Sequence, residues 1–182
     1  MPKISYCGKS AEEKFIPLNG LSKELKRIKA SKRFRAVLLE HPATTIKETH
    51  WGSFPTFTVS PRQSRNTLGS YYRGQSKIVL YPTTKIVNGK TVVGFLQSTI
   101  IHELAHHTAF KRKAGTNWFD KAHGAGFNTA YLELTKAIAG VQAYKQLKTE
   151  MAELNLKMVN AGGKRVKVRA VKVAPSKVLA VA

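Results

Sequence analysis

The sequence is poor in cysteine, in acidic residues and in long apolar runs. Its 182 residues include a single cysteine, Cys7, which excludes an internal disulfide framework and any zinc site built from several cysteines. No apolar run approaches the ~18 residues that cross a bilayer, and the first residues lack the apolar stretch of a secretion signal. We therefore expect an intracellular protein without membrane contact, and no nucleophilic role for Cys7.

The scarcity of acids leaves a large positive charge. The chain has 31 Lys and Arg but only 10 Asp and Glu, which gives a net charge of +21. Such a surface attracts polyanions, so DNA or another nucleic acid is the expected partner, although a merely solubilising surface is the alternative. Residues 164–173 contain no acid, and they supply the predicted nucleic-acid contacts Lys164, Arg165, Lys167, Arg169 and Lys172.

The predicted elements run from a basic helix through a β region to further helices. Leu21–Leu39 has an apolar face and a face rich in Lys and Arg, which is typical of an amphipathic helix. Residues 54–93 contain short β-branched runs and the hairpin signal Asn88-Gly89. Residues 95–114 lack Pro and Gly, so they predict a helix that stops at Gly115. This order predicts an α+β fold.

The C-terminal part is predicted to hold two more helices and a tail. One helix begins near His123–Ala125, and apolar residues spaced three and four apart from Tyr144 to Met158 predict another that docks on its own domain. We assign residues 1–160 to one domain and residues 161–182 to a basic tail. Alternating basic and apolar side chains in Lys164–Val173 are compatible with an edge strand or a disordered arm.

The helix predicted over residues 95–114 carries the sequence His102-Glu103-Leu104-Ala105-His106. Histidines at i and i+4 lie on the same helix face, so both rings can reach one Zn²⁺. Glu103 lies ~100° further around the helix, where its carboxylate can take a proton from water beside the metal. This HExxH pattern is typical of zinc metallopeptidases, and the alternative is a half-buried helix with two incidental histidines.

A catalytic zinc site needs a third protein ligand and an open position for water. His123 is the preferred third ligand, because it lies beyond a predicted chain reversal and precedes small residues that allow close approach to the first helix. Asp120 and Glu133 are the alternatives. His107 lies a further ~100° around the helix from His106, so we expect it to pack or hydrogen-bond behind the site.

Two motifs together resemble the SprT-like zinc metallopeptidases, which include the Spartan DNA–protein crosslink proteases. They are His102-Glu103-Leu104-Ala105-His106-His107 and His123-Gly124-Ala125-Gly126-Phe127. The segments Gly69–Gly74 and Ile78–Pro82 also resemble the glycine turn and strand that precede the metal helix in that family, so the resemblance covers roughly Phe54 to Leu134. Many members add a C-terminal four-cysteine zinc ribbon, for which this chain lacks the cysteines.

The resemblance implies a minimal zincin fold, in which helices pack on a small and mainly antiparallel sheet. It also implies one catalytic Zn²⁺ bound by His102, His106 and His123, with Glu103 as the general base. We therefore predict a zinc-dependent endopeptidase whose protein substrates are associated with nucleic acid. The alternatives are a peptidase for a specific host or phage protein without a DNA role, and a non-catalytic basic nucleic-acid-binding protein with a structural zinc. Candidates for oxyanion stabilisation are Tyr71, Tyr72 and Tyr131.

Overall fold

The computed structural model describes residues 14–39, 54–64, 66–112, 123–160 and 164–170. Within them the helices are α1 (Leu21–Ala30), α2 (Lys32–Leu39), α3 (Gln97–Arg112), α4 (Ala125–Ile138) and α5 (Val141–Glu153). The strands are β1 (Phe15–Pro17), β2 (Thr56–Val59), β3 (Gly69–Tyr72), β4 (Lys77–Leu80), β5 (Thr83–Val87), β6 (Lys90–Leu96), β7 (Lys157–Val159) and β8 (Arg165–Lys167). The predicted α+β fold is confirmed.

The strands form three small sheets rather than the one expected. Their orders are β1-β6-β5, β2-β4-β3 and β7-β8, and every pairing is antiparallel except that of β2 with β4. Pro82 lies between β4 and β5, and proline has no N–H to continue a ladder, so the chain leaves one sheet there and enters the next. The predicted Asn88-Gly89 turn joins β5 to β6, with both residues at positive φ.

Two predicted helices differ from the observed ones in their bounds. The helix predicted over Leu21–Leu39 is interrupted at Ser31, whose backbone is extended and whose Oγ accepts a hydrogen bond from the Phe34 N–H at 3.3 Å. Ser31 therefore ends α1 and caps α2. The helix predicted to begin at residue 95 starts at Gln97, because Phe95 and Leu96 still pair with β1.

The predicted stripe from Tyr144 to Met158 is divided between a helix and a strand. Helix α5 ends at Glu153, Asn155 follows at positive φ, and Met158 lies in β7. The chain then returns as β8, and Val168 is buried in the core. The edge-strand interpretation therefore applies to Arg165–Lys167, and the predicted boundary at residue 160 falls between the two strands of this hairpin.

Helices α3 and α4 pack along each other at the centre of the core. Leu104 and Ala105 of α3 and Ala130 and Leu134 of α4 have no exposed surface. The start of α3 is also held by a buried acid: Glu24 accepts hydrogen bonds from Gln97, Arg27 and Lys14. Glu24 therefore ties the first residue of α3 to α1. Among the described helices, none is both long and apolar enough to cross a membrane.

Candidate metal centre

Helix α3 brings the first two histidines together. His102 and His106 lie one turn apart, their ring centroids are 4.9 Å apart and their Nε2 atoms are 3.2 Å apart. This is the geometry that the i, i+4 spacing predicts. The two Nε2 atoms lie close enough together to bind the same metal ion.

The turn just before α4 supplies the third imidazole. His123 directly precedes Gly124, the extended residue that caps α4, and its Nε2 lies 3.2 Å from Nε2 of His102. Its ring centroid is 4.8 Å from that of His106. The ligand atoms of His102, His106 and His123 all lie within 4.8 Å of one another, so these three residues could hold a metal ion.

The spacing of the nitrogens fits a small tetrahedral ion. With metal–nitrogen distances of ~2.0–2.1 Å, two ligands of a tetrahedral site lie ~3.3–3.4 Å apart. Nε2 of His102 lies 3.2 Å from Nε2 of both His106 and His123, which is close to that value. Three protein ligands leave one tetrahedral position for solvent or substrate, as catalytic rather than structural zinc sites do.

Burial keeps the three imidazoles neutral. It lowers the pKa of His102 to about 3 and that of His106 to about 4, and mutual repulsion among the rings adds to both shifts. The pKa of His123, the most exposed of the three, is also lowered by burial. A metal binds the neutral imidazole, so these nitrogens are available as ligands without first losing a proton at neutral pH.

Glu103 lies next to the histidines in a buried position. Only 5% of the residue is exposed, and burial raises the pKa of its carboxyl from 4.5 to about 7. A carboxyl group with a pKa near the working pH can both accept and return a proton. Strand β3 lies against it: a Cβ on Gly69 would be 2.7 Å from Glu103 Cγ and 2.8 Å from Oε1.

His107 contacts strand β3 and does not belong to the cluster of three histidines. It is fully buried, its Nδ1 lies 3.2 Å from the hydroxyl oxygen of Tyr71, and the two rings meet edge to face at 5.4 Å. Strand β3 therefore contacts α3 twice, with Gly69 at Glu103 and Tyr71 at His107. The sequence singled out the glycine but gave no sign of which α3 side chain it faces.

Phe127 also lies at the site, although the sequence indicated it only as part of a motif. Its ring centroid is 4.5 Å from that of His106, 4.8 Å from His123 and 4.9 Å from His102. His123 lies in the turn before α4, so helical periodicity does not relate its ring to that of Phe127, and the motif was the only signal in the sequence.

The other candidates have different places. Glu133 is half-buried on α4 and does not belong to the histidine cluster, and Asp120 lies outside the described residues. Tyr71 contacts His107, whereas Tyr72 is exposed and Tyr131 is buried beside His102.

Most of the predicted nucleic-acid contacts share one hairpin. Lys164 precedes β8, Arg165 and Lys167 lie on it, and Arg169 follows it, and all four are exposed. Lys172 lies outside the described residues. Lys157 of the paired strand is exposed as well, so this hairpin presents several cations to solvent.

Comparison with known proteins agrees with the resemblance. The SprT-like family profile matches residues 39–159, about two thirds of the chain. That range contains α3, the start of α4 and the three histidines, and it is wider than the resemblance seen in the sequence. No curated protein and no solved structure matches the chain.

Proposed function

Because the chain belongs to the SprT-like family, we propose that it is a zinc-dependent endopeptidase. One observation carries the proposal: three imidazole nitrogens converge beside a buried carboxyl group. The metal-binding residues are His102, His106 and His123, and the nitrogen ligands and their spacing suit zinc. Zinc held there supplies Lewis acidity, which polarises a peptide carbonyl and acidifies water.

Glu103 is the acid–base residue of this proposal. Its carboxylate takes the proton of the attacking water and returns it to the amine that leaves when the peptide bond breaks. A pKa of about 7 suits both halves of that exchange. The Glu103 side chain packs directly against Gly69 of β3, in space that any larger residue at position 69 would occupy.

Replacement of Glu103 by Gln tests the chemistry. We expect Glu103→Gln to bind one zinc per chain and to lose casein hydrolysis by at least ~100-fold, since general acid–base catalysis contributes ~10²–10⁴-fold. Glu150→Gln on α5, where Glu150 accepts a hydrogen bond from Gln146, is the matched control and should keep its activity. Full activity in Glu103→Gln would exclude this mechanism and favour the alternative of a structural zinc in a non-catalytic protein.

We also propose that the protein substrates are bound to nucleic acid. The support is the net charge of +21 and the exposed cations of the β7–β8 hairpin. If ~6 phosphates are contacted, a log–log plot of double-stranded DNA affinity against salt should have a slope near −5. Changing Lys164, Arg165, Lys167 and Arg169 to Ser should flatten that slope, while casein hydrolysis without DNA is kept. A flat response in the wild type would favour a peptidase without a DNA role.

A further inference from the structure

Phe127 meets all three metal-binding imidazoles. It lies in the first turn of α4 and is 2% exposed. The ring of His123 is perpendicular to it, the ring of His102 is inclined by 63°, and the ring of His106 is tilted by 39°. All three centroid distances fall between 4.5 and 4.9 Å. One rigid side chain therefore contacts the two histidines of α3 and the histidine that precedes α4.

The support continues one turn further along α4. Tyr131 is buried, its ring stacks on that of Phe127 at 5.7 Å, and it meets His102 edge to face at 5.6 Å. Phe127 is thus held from behind by a second ring. A phenyl ring has only two side-chain torsions, so a ring packed in this way has little freedom to move.

The sequence places Phe127 where this contact is possible. His123 lies in the turn just before α4 and Phe127 in the first turn of that helix, and their ring centroids are 4.8 Å apart. Gly124, Ala125 and Gly126 fill the positions between them, and small residues let the start of α4 approach α3. The phenyl ring then reaches the two histidines of α3.

We propose that Phe127 is a positioning residue of the metal centre. Its ring is an apolar floor that holds the three imidazoles at their ligating separation before an ion arrives. The inference rests on the proposed zinc site, but it concerns affinity for the metal and not peptide hydrolysis. Groups that orient metal ligands from outside the coordination sphere typically change metal affinity by ~10–100-fold when they are lost.

The test compares two Phe→Leu variants that remove the same atoms from buried places. Phe127→Leu changes the floor of the site, and Phe34→Leu changes a 1%-exposed ring on α2 that contacts Phe54. Zinc affinity is measured by competition with a chromophoric chelator, and thermal unfolding is measured with the metal removed. We expect both variants to unfold at lower temperature than the wild type, and only Phe127→Leu to bind zinc at least ~10-fold more weakly.

The outcomes separate this inference from the proposed function. Wild-type binding of one zinc, with equal affinity in Phe127→Leu, overturns the positioning role and leaves the peptidase proposal intact. A wild type that binds no zinc overturns both. If Phe127→Leu does not fold, Phe127→Met keeps an apolar side chain of similar size but gives up the rigid ring. It should weaken zinc binding more than Phe34→Leu does, and the opposite order refutes the inference.

Discussion

Gly69→Ala should abolish the proposed peptidase activity without unfolding the protein. The added Cβ would lie 2.7 Å from Glu103 Cγ, 2.8 Å from Oε1 and 3.0 Å from Cδ. Carbon atoms pack at ~3.5–4.0 Å, so the two groups must separate by about 1 Å. The Glu103 side chain is the softer partner, because strand β3 is held by its pairing with β4. We therefore expect the carboxyl group to move.

The size of the effect follows from that displacement. A misplacement of 1 Å at a reacting group can cost ~10²-fold in rate, so kcat should fall about 100-fold. Gly69 does not have a positive φ, so alanine adds no backbone strain. Alanine has less conformational freedom than glycine in the unfolded chain, which stabilises the folded state by ~0.4–1 kcal/mol where the native backbone accepts alanine. This gain offsets part of the cost of the closer packing. Stability should change little.

The assay is casein hydrolysis by zinc-loaded protein at saturating substrate, with metal content and thermal unfolding measured on the same samples. Gly74→Ala is the matched control, because a Cβ on Gly74 meets nothing within 4 Å. It should retain wild-type kcat. A Gly69→Ala protein that keeps one zinc and a kcat within twofold of the wild type would refute the close packing of Glu103 against β3.

Three further predictions concern stability. Hydrogen bonds from Arg27 hold the pKa of Glu24 at about 2. The contribution of this carboxylate to the free energy of unfolding is therefore present above pH ~4.5 and is lost as pH falls towards 2. In urea titrations, the free energy of unfolding should fall between pH 5 and pH 2 by about 3 kcal/mol more in the wild type than in Glu24→Gln. Tyr71→Phe removes the hydroxyl that lies 3.2 Å from Nδ1 of the buried His107, and it should lower the free energy of unfolding by ~1–3 kcal/mol with zinc content unchanged. Zinc at 1,000 times its Kd should stabilise the wild type by ~4 kcal/mol in thermal unfolding, and His123→Ala should lose most of this gain.

Local periodicity was sufficient to predict much of the fold and of the site. A helix turns once in 3.6 residues, so the spacing of His102 and His106 placed both rings on one face and Glu103 beside them. The Asn88-Gly89 turn and the start of α4 are also short-range signals, whereas the predicted stop at Gly115 lies outside the described residues. The α+β class and the family were confirmed, whereas the nucleic-acid partner stays a prediction.

Errors occurred where a local pattern met a competing local or tertiary effect. The apolar positions of Leu21–Leu39 fit one continuous helix, but the hydroxyl of Ser31 caps a new one. The apolar stripe that reaches Met158 also fits a helix. However, α5 ends before Asn155, which has a positive φ, and residues 157–159 form a strand paired with β8. Both segments keep apolar side chains in the core, so burial alone does not distinguish the alternatives.

By itself, the sequence determined the chemistry available to this protein: two imidazoles and a carboxyl group on one helix, a third imidazole after a turn, and a large excess of cations. Only the tertiary structure decided that Gly69 faces Glu103, that Tyr71 faces His107, and that one phenyl ring contacts all three imidazoles. The reason is physical. Contacts within one helix follow from its pitch, whereas contacts between β3, α3 and α4 depend on how the whole core packs.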